Sequence, residues 1–173
     1  VQVYDDSTNA ELIERIQGAT VVVTKEIPVG PELLSQFPES VKLIVEAGTG
    51  YNNIDLDAAR AKGITVCNIP AYSTERVAHT AIMMLLNFAS TMQQQIGMLA
   101  RGDRSNFTKH LQVPHTEVNG KTLGIIGAGH IGMAVVKVAR ALDMNILIHT
   151  RTPKEDSEGI RYVSLDELLA QSD

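Results

Sequence analysis

The chain has 173 residues, a formal net charge of −5, 44% hydrophobic and 20% charged residues; this is an ordinary globular composition, long enough to bury a sizeable core in one large or two small domains. An acidic balance without basic clusters argues against a general nucleic-acid surface, which needs positive charge to displace counterions from phosphate. A lone cysteine, Cys67, excludes an internal disulfide; no signal peptide is visible and the most apolar stretch, Ala81 to Leu86, is too short to cross a bilayer, so the reading is a cytoplasmic protein.

In chain order, Val1 to Tyr4 alternates like a strand, and Thr8-x-x-Glu11 has the spacing of a capping box. Leu12, Ile13 and Ile16 mark the buried face of a short helix closed by Gly18. Thr20 to Thr24 is β-branched without alternation, which predicts a strand covered on both faces. Gly30-Pro31 opens a second helix, and Val41 to Val45 is the next strand. Asp55 can cap a helix over 56–62 that Gly63 ends, and Ile64 to Cys67 returns as a strand. Alternating strands and helices predict a parallel, doubly wound sheet with right-handed crossovers.

From Ser73 to about Ala100 the pattern predicts one long helix, apolar on nearly every side in its middle and therefore sandwiched between domains or subunits. Residues 101–119 are polar, carry Pro114 and show no period, as expected of a linker or an arm that wraps a partner subunit. An apolar run, Leu123 to Ile126, then leads into Gly127, Gly129 and Gly132 at the spacing G-x-G-x-x-G, followed by an amphipathic helix over 133–142 and a second strand, 146–148. This βαβ context points to a dinucleotide: the first glycine permits a tight turn, the second lets backbone approach a pyrophosphate, and the third lets helix and strand pack closely. A purely structural turn, or a nucleoside site of the methyltransferase kind, remains the alternative. Tyr162-Val163 predicts a short strand, and Ser164-x-x-Glu167 a capping box for a last helix. Both termini read as cut, because the sequence starts inside a strand pattern and stops directly after a helix.

Two further candidates stand at strand ends. Gly48-Thr49-Gly50 follows a strand, where backbone N–H groups can point into the ligand crevice of an open α/β sheet and hold a carboxylate; a plain tight turn fits the local sequence equally well. An NAD site wants a carboxylate about 20 residues beyond the glycines for the ribose hydroxyls. The chain instead offers Thr150, Arg151 and Thr152, and a guanidinium suits the 2′-phosphate of NADP, so the expected cofactor is NADP more than NAD. His79, His110, His115, His130 and His149 are scattered, none with an orienting carboxylate that sequence can show, and no metal ligands are assigned.

Taken together, Ala47-Gly-Thr-Gly-Tyr-Asn-Asn-Ile-Asp55, Gly63-Ile-Thr-Val66, Asn68-Ile-Pro-Ala-Tyr-Ser-Thr74, Val77-Ala78 and the Gly127–Gly132 turn resemble the D-isomer-specific 2-hydroxyacid dehydrogenases, most closely the glycerate dehydrogenase or hydroxypyruvate reductase branch. The resemblance implies a flavodoxin-like substrate domain (1–72), an interdomain helix and dimerisation arm (73–118) and the first part of a Rossmann NAD(P)-binding domain (119–173). It puts the Thr49 and Gly50 backbone on the substrate carboxylate, Val77 near the nicotinamide, and His130 and Ile131 on the pyrophosphate. It further implies a homodimer and a small 2-oxo acid substrate, with the site between the two domains. The family's catalytic Arg, Glu or Asp, and His are expected beyond Asp173, so these residues alone are expected to be inactive. His79 departs from the family's usual Glu or Gln. The same fold also resembles corepressors of the C-terminal-binding-protein type, which sense nucleotide without turnover, whereas a nucleoside-binding transferase explains none of the residues from Ala47 to Val77.

Overall fold

A computed structural model describes all residues from Val1 to Asp173, which fall into two compact units, 1–72 and 73–173. Each contains a three-stranded parallel sheet packed against helices.

In the first unit α1 (Asn9–Arg15) starts at the Thr8 cap, with the Glu11 side chain accepting from the Thr8 N–H at 2.8 Å. β1 (Val21–Thr24), α2 (Pro31–Ser35), β2 (Leu43–Glu46), α3 (Leu56–Ala61) and β3 (Thr65–Cys67) follow. The strands lie in the order β1-β2-β3, all parallel, with Val22 beside Ile44 and Ile44 beside Val66. Pro31 opens α2, and the Asp55 side chain accepts from the Ala58 N–H at 2.8 Å to cap α3. Gly63 follows α3 with φ +68°, a left-handed position that suits glycine. Leu12, Ile16, Leu33, Leu34, Phe37 and Ala59 form one core with Val22 and Ile44. Each large aliphatic side chain so buried contributes roughly 1.5–3 kcal/mol relative to exposure.

Two sequence expectations fail in this unit. Residues 1–4 form no strand and are exposed, because no neighbouring strand pairs with them. β1 is not covered on both faces: Val22 and Thr24 are buried while Val21 (49% exposed) and Val23 (65%) face outward. All three helices pack into one core on the Val22 face; for the crossovers α2 and α3 this is what right-handed connections in the order β1-β2-β3 require.

The second unit opens with α4 (Thr74–Ser90), α5 (Met92–Ala100) and a short α6 (Ser105–Thr108). The single long helix expected over 73–100 is broken at Thr91, which adopts a left-handed conformation (φ +49°, ψ +35°) while its hydroxyl donates to the Pro114 carbonyl. The Thr116 N–H donates to the Ala89 carbonyl at 2.8 Å, so the polar segment after α6 crosses back over the break. Asn106, almost fully buried, holds that segment as well: its Oδ1 accepts from the Gln112 and Val113 N–H groups at 2.6 and 3.2 Å. Of α4, Ala78 and Ile82 are buried against Val135, whereas Met83, Met84, Leu86 and Phe88 are exposed, so the helix is not enclosed on all sides within this unit.

β4 (Thr122–Ile126), α7 (His130–Ala141), β5 (Asn145–His149), β6 (Ile160–Tyr162) and α8 (Leu165–Gln171) complete the unit. The strands run parallel in the order β4-β5-β6. Ile146 and Ile148 pack with Val136 and Ala139 of α7, and α8 lies over the other face, where a Cβ on Gly124 would stand 2.7 Å from Leu168 Cδ2. α7 starts three residues earlier than the amphipathic pattern predicts, at His130. Only half of the Ser164 capping box forms: Ser164 Oγ accepts from the Glu167 N–H at 3.1 Å, but the Glu167 carboxylate accepts from Arg161 at 2.8 Å instead of turning back to the cap. No helix is long and apolar enough to cross a membrane.

Candidate functional site

The glycine turn between β4 and α7 meets three separate steric demands. Gly127 has φ +101°, which L side chains rarely adopt. A Cβ on Gly132 would lie 2.1 Å from the Gly127 carbonyl oxygen, so only glycine lets the helix sit this close to the turn. Around Gly129, in contrast, a Cβ would meet no protein atom within 4 Å; this is open space beside the backbone. No side chain caps α7 and no acidic residue occupies its first turn, so N–H groups that lack intrahelical partners stand at the positive end of the helix dipole. A pyrophosphate fits that cradle chemically and sterically.

β4 and β5 place a second segment beside it. Ile126 is paired with His149, and the Gly127 N–H donates to the His149 carbonyl at 2.8 Å, so the glycine turn and Thr150-Arg151-Thr152 leave the sheet at the same carboxyl edge. Arg151 and Thr152 are exposed, with the guanidinium available to an anion. Val77 lies in the first turn of α4 and is partly exposed; its N–H donates to the Ser73 carbonyl at 3.0 Å. His130 and Ile131 are the first two residues of α7. Of the other histidines, His149 Nδ1 lies 3.2 Å from the Val163 carbonyl oxygen, and His79 Nε2 lies 3.9 Å from Glu75 on the surface.

In the first unit the turn after β2 is held from two sides. The Ile69 N–H donates to the Gly48 carbonyl at 2.9 Å, Thr49 Oγ1 donates to the Ile69 carbonyl at 3.0 Å, and Asn68 Nδ2 donates to the Thr49 carbonyl at 2.8 Å. These bonds use the carbonyl oxygens and the hydroxyl; the Thr49 and Gly50 N–H groups make no hydrogen bond within the chain. Neither Gly48 nor Gly50 has positive φ. A Cβ on Gly48 would come within 3.3 Å of Glu46 Oε1, so the carboxylate would have to give by a few tenths of an ångström.

Glu46 is the residue that sequence reasoning missed. Its side chain is fully buried at the end of β2, and its carboxylate accepts from Thr24 Oγ1 at 2.8 Å, the Glu26 N–H at 2.9 Å and Asn53 Nδ2 at 3.0 Å. Burial alone would raise its pKa, but these hydrogen bonds, helped by the Lys25 charge, hold it below the usual carboxylate range. The available signal was a charged residue closing the apolar run Leu43-Ile-Val-Glu46 directly before a glycine turn.

The family described as D-isomer specific 2-hydroxyacid dehydrogenase, catalytic domain, matches residues 1–155. The chain belongs to this dehydrogenase family. A hydroxypyruvate reductase from Blautia hydrogenotrophica is 37% identical over 167 residues, covering 94% of this chain and 52% of the relative. The crystal structure of a glyoxylate reductase from Paecilomyes thermophila superposes with a TM-score of 0.84 at 33% identity, covering 98% of this chain and 55% of that one. The D-lactate dehydrogenase of Aquifex aeolicus, solved with NAD and lactic acid, gives 0.83 at 34% identity over 93% of this chain and 48% of its own. The chain thus spans about half the length of the dehydrogenases it matches, and its 73–173 unit includes a partial Rossmann-like piece of their α/β fold.

Proposed function

We propose that the protein containing this chain reduces a small 2-oxo acid, such as hydroxypyruvate to D-glycerate or glyoxylate to glycolate, drawing on NADPH in preference to NADH. The observation that carries the reading is the glycine turn, in which Gly127 supplies the left-handed backbone, Gly132 the close approach of helix to turn and Gly129 the open space a pyrophosphate needs, in a chain of this dehydrogenase family. When bound, the nicotinamide supplies the hydride. Gly127, Gly129 and Gly132 shape the cradle, the His130 and Ile131 N–H groups face the pyrophosphate, and Val77 flanks the nicotinamide. Thr150, Arg151 and Thr152 face the adenosine ribose, and Arg151 selects the 2′-phosphate through a charge-assisted contact of roughly 1.5–3 kcal/mol. The Thr49 and Gly50 N–H groups, unpartnered within the chain, donate to the substrate carboxylate.

The family's acid–base residues and substrate-binding Arg are read as lying beyond Asp173, so residues 1–173 alone are inactive on this account. The working protein is a cytoplasmic homodimer that contacts neither nucleic acid nor membrane. Support for the dimer is the exposed apolar surface of α4 and α5, on which Phe88 is 84% exposed and Met84, Met92 and Ile96 are exposed as well. Sedimentation of the full-length protein should show a dimer that Phe88→Asp converts to monomer; a wild-type monomer refutes it.

Steady-state oxidation of NADPH and NADH by the full-length protein with hydroxypyruvate and glyoxylate tests the whole reading. The expected result is turnover with a lower KM for NADPH, a preference that Arg151→Ser abolishes. Nucleotide binding without turnover would favour a nucleotide-sensing protein of the corepressor type, and an NADH preference would overturn the role of Arg151.

A further inference from the structure

The first unit keeps a fully buried carboxylate, Glu46, two residues before the 48–50 turn that presents the Thr49 and Gly50 N–H groups. Desolvating a carboxylate is costly unless its oxygens are hydrogen-bonded, and Glu46 meets that condition with three donors drawn from two separate segments. Oε2 accepts from Thr24 Oγ1, at the end of β1, and from Asn53 Nδ2, in the loop before α3. Oε1 accepts from the N–H of Glu26, a residue in the left-handed region at φ +60°.

The same partners carry the connection further. Asn53 Nδ2 also donates to the Ile27 carbonyl at 2.8 Å, and the Asn53 carbonyl accepts from the Val29 N–H at 2.7 Å. The Asp55 N–H in turn donates to the Val29 carbonyl at 3.0 Å. The segment after β1 and the segment from Tyr51 to Asp55 are therefore stitched together, and both are fastened to the Glu46 carboxylate. With Ile69 and Asn68 on the other flank, the 48–50 turn is clamped at both ends while its own N–H groups stay free.

We propose that Glu46 is a positioning residue for the substrate: its buried carboxylate clamps the 47–53 segment so that the Thr49 and Gly50 N–H groups are held in the direction that receives the substrate carboxylate. This rests on the reading of Thr49 and Gly50 as substrate donors given above. The role needs two acceptor oxygens. Glutamine has the same shape but carries an NH2 group on one side. That group would confront either the Glu26 N–H or the Asn53 NH2, both of which are donors. A negative charge this close to an anion site also offers a sign test: were charge alone important, its removal would tighten substrate binding, whereas loss of the clamp weakens it.

The experiment uses the full-length protein. Glu46→Gln is expected to raise the KM for hydroxypyruvate about tenfold or more, the worth of a hydrogen bond to a charged group, while kcat stays within about threefold and the Kd for NADPH is unchanged. Hydrogen exchange should quicken in peptides spanning 47–55 and not in those spanning 122–149. Thr24→Val removes one donor, leaves the carboxylate in place, and should move KM and exchange in the same direction by a smaller factor; it decides the matter if Glu46→Gln does not fold. An unchanged or lower KM with unaltered exchange at 47–55 overturns the proposal. If the wild-type protein turns over neither hydroxypyruvate nor glyoxylate, the proposed activity falls, and the exchange comparison still decides whether Glu46 clamps the turn.

Discussion

Gly132 and Gly129 are three residues apart and fail for opposite reasons when substituted. An alanine Cβ at 132 would lie 2.1 Å from the Gly127 carbonyl oxygen, a backbone atom that cannot swing aside. Gly132→Ala should therefore cost about 1–3 kcal/mol of stability, the usual range for overpacking, and lower Tm in a thermal melt of the full-length protein. At 129 nothing lies within 4 Å. Gly129→Ala should stay within about 1 kcal/mol of wild type, the scale of an N-cap change, yet lose nucleotide affinity in a calorimetric titration because the methyl group fills the space a phosphate needs. Glu46 adds a pH dependence. Because its folded pKa is lowered, its contribution to stability is complete above the unfolded glutamate value, about 4.3, and is lost as pH falls through the folded one. The Tm gap between wild type and Glu46→Gln should be widest near neutral pH and close on acidification below that value; a gap that widens in acid contradicts the assignment.

Among the elements, the break between α4 and α5 shows why some features were legible and others were not. Caps and helix stops are written in neighbouring residues: Thr8 with Glu11, Pro31, Asp55 and Gly63 each act within four positions, and the structure holds them where local chemistry places them. The break at Thr91 involves no proline or glycine. It coincides with hydrogen bonds to the segment near Pro114, 23 residues away, and no periodicity reports that. Residues 1–4 alternate as a strand should, but alternation without a paired neighbour makes no ladder. The one-sided burial of β1 likewise follows from the side on which the crossovers lie, not from its own β-branched residues. Glu46 escaped for the same reason, since its donors sit 22, 20 and 7 positions away. Asn106 gives this scale its test. Asn106→Ala leaves the Gln112 and Val113 N–H groups without their acceptor, which should cost about 1–3 kcal/mol and speed hydrogen exchange across 109–116; unchanged exchange there would show that the side chain does not hold this segment.

For the whole molecule, the family is shown by a match over residues 1–155 and the fold by superposition on solved dehydrogenases, while substrate, cofactor preference and assembly are proposals about a protein of which this chain spans about half the length of its relatives. The proposals share one chemical consequence. Reduction of hydroxypyruvate on this reading consumes one NADPH and one proton and leaves one glycerate of a single hand. The most direct test is therefore to incubate the full-length protein with hydroxypyruvate and NADPH and to measure both the nucleotide oxidised and the enantiomer of glycerate formed. D-glycerate in equal amount to the NADPH consumed is the predicted result; L-glycerate, or no nucleotide oxidation with either hydroxypyruvate or glyoxylate, would contradict the account.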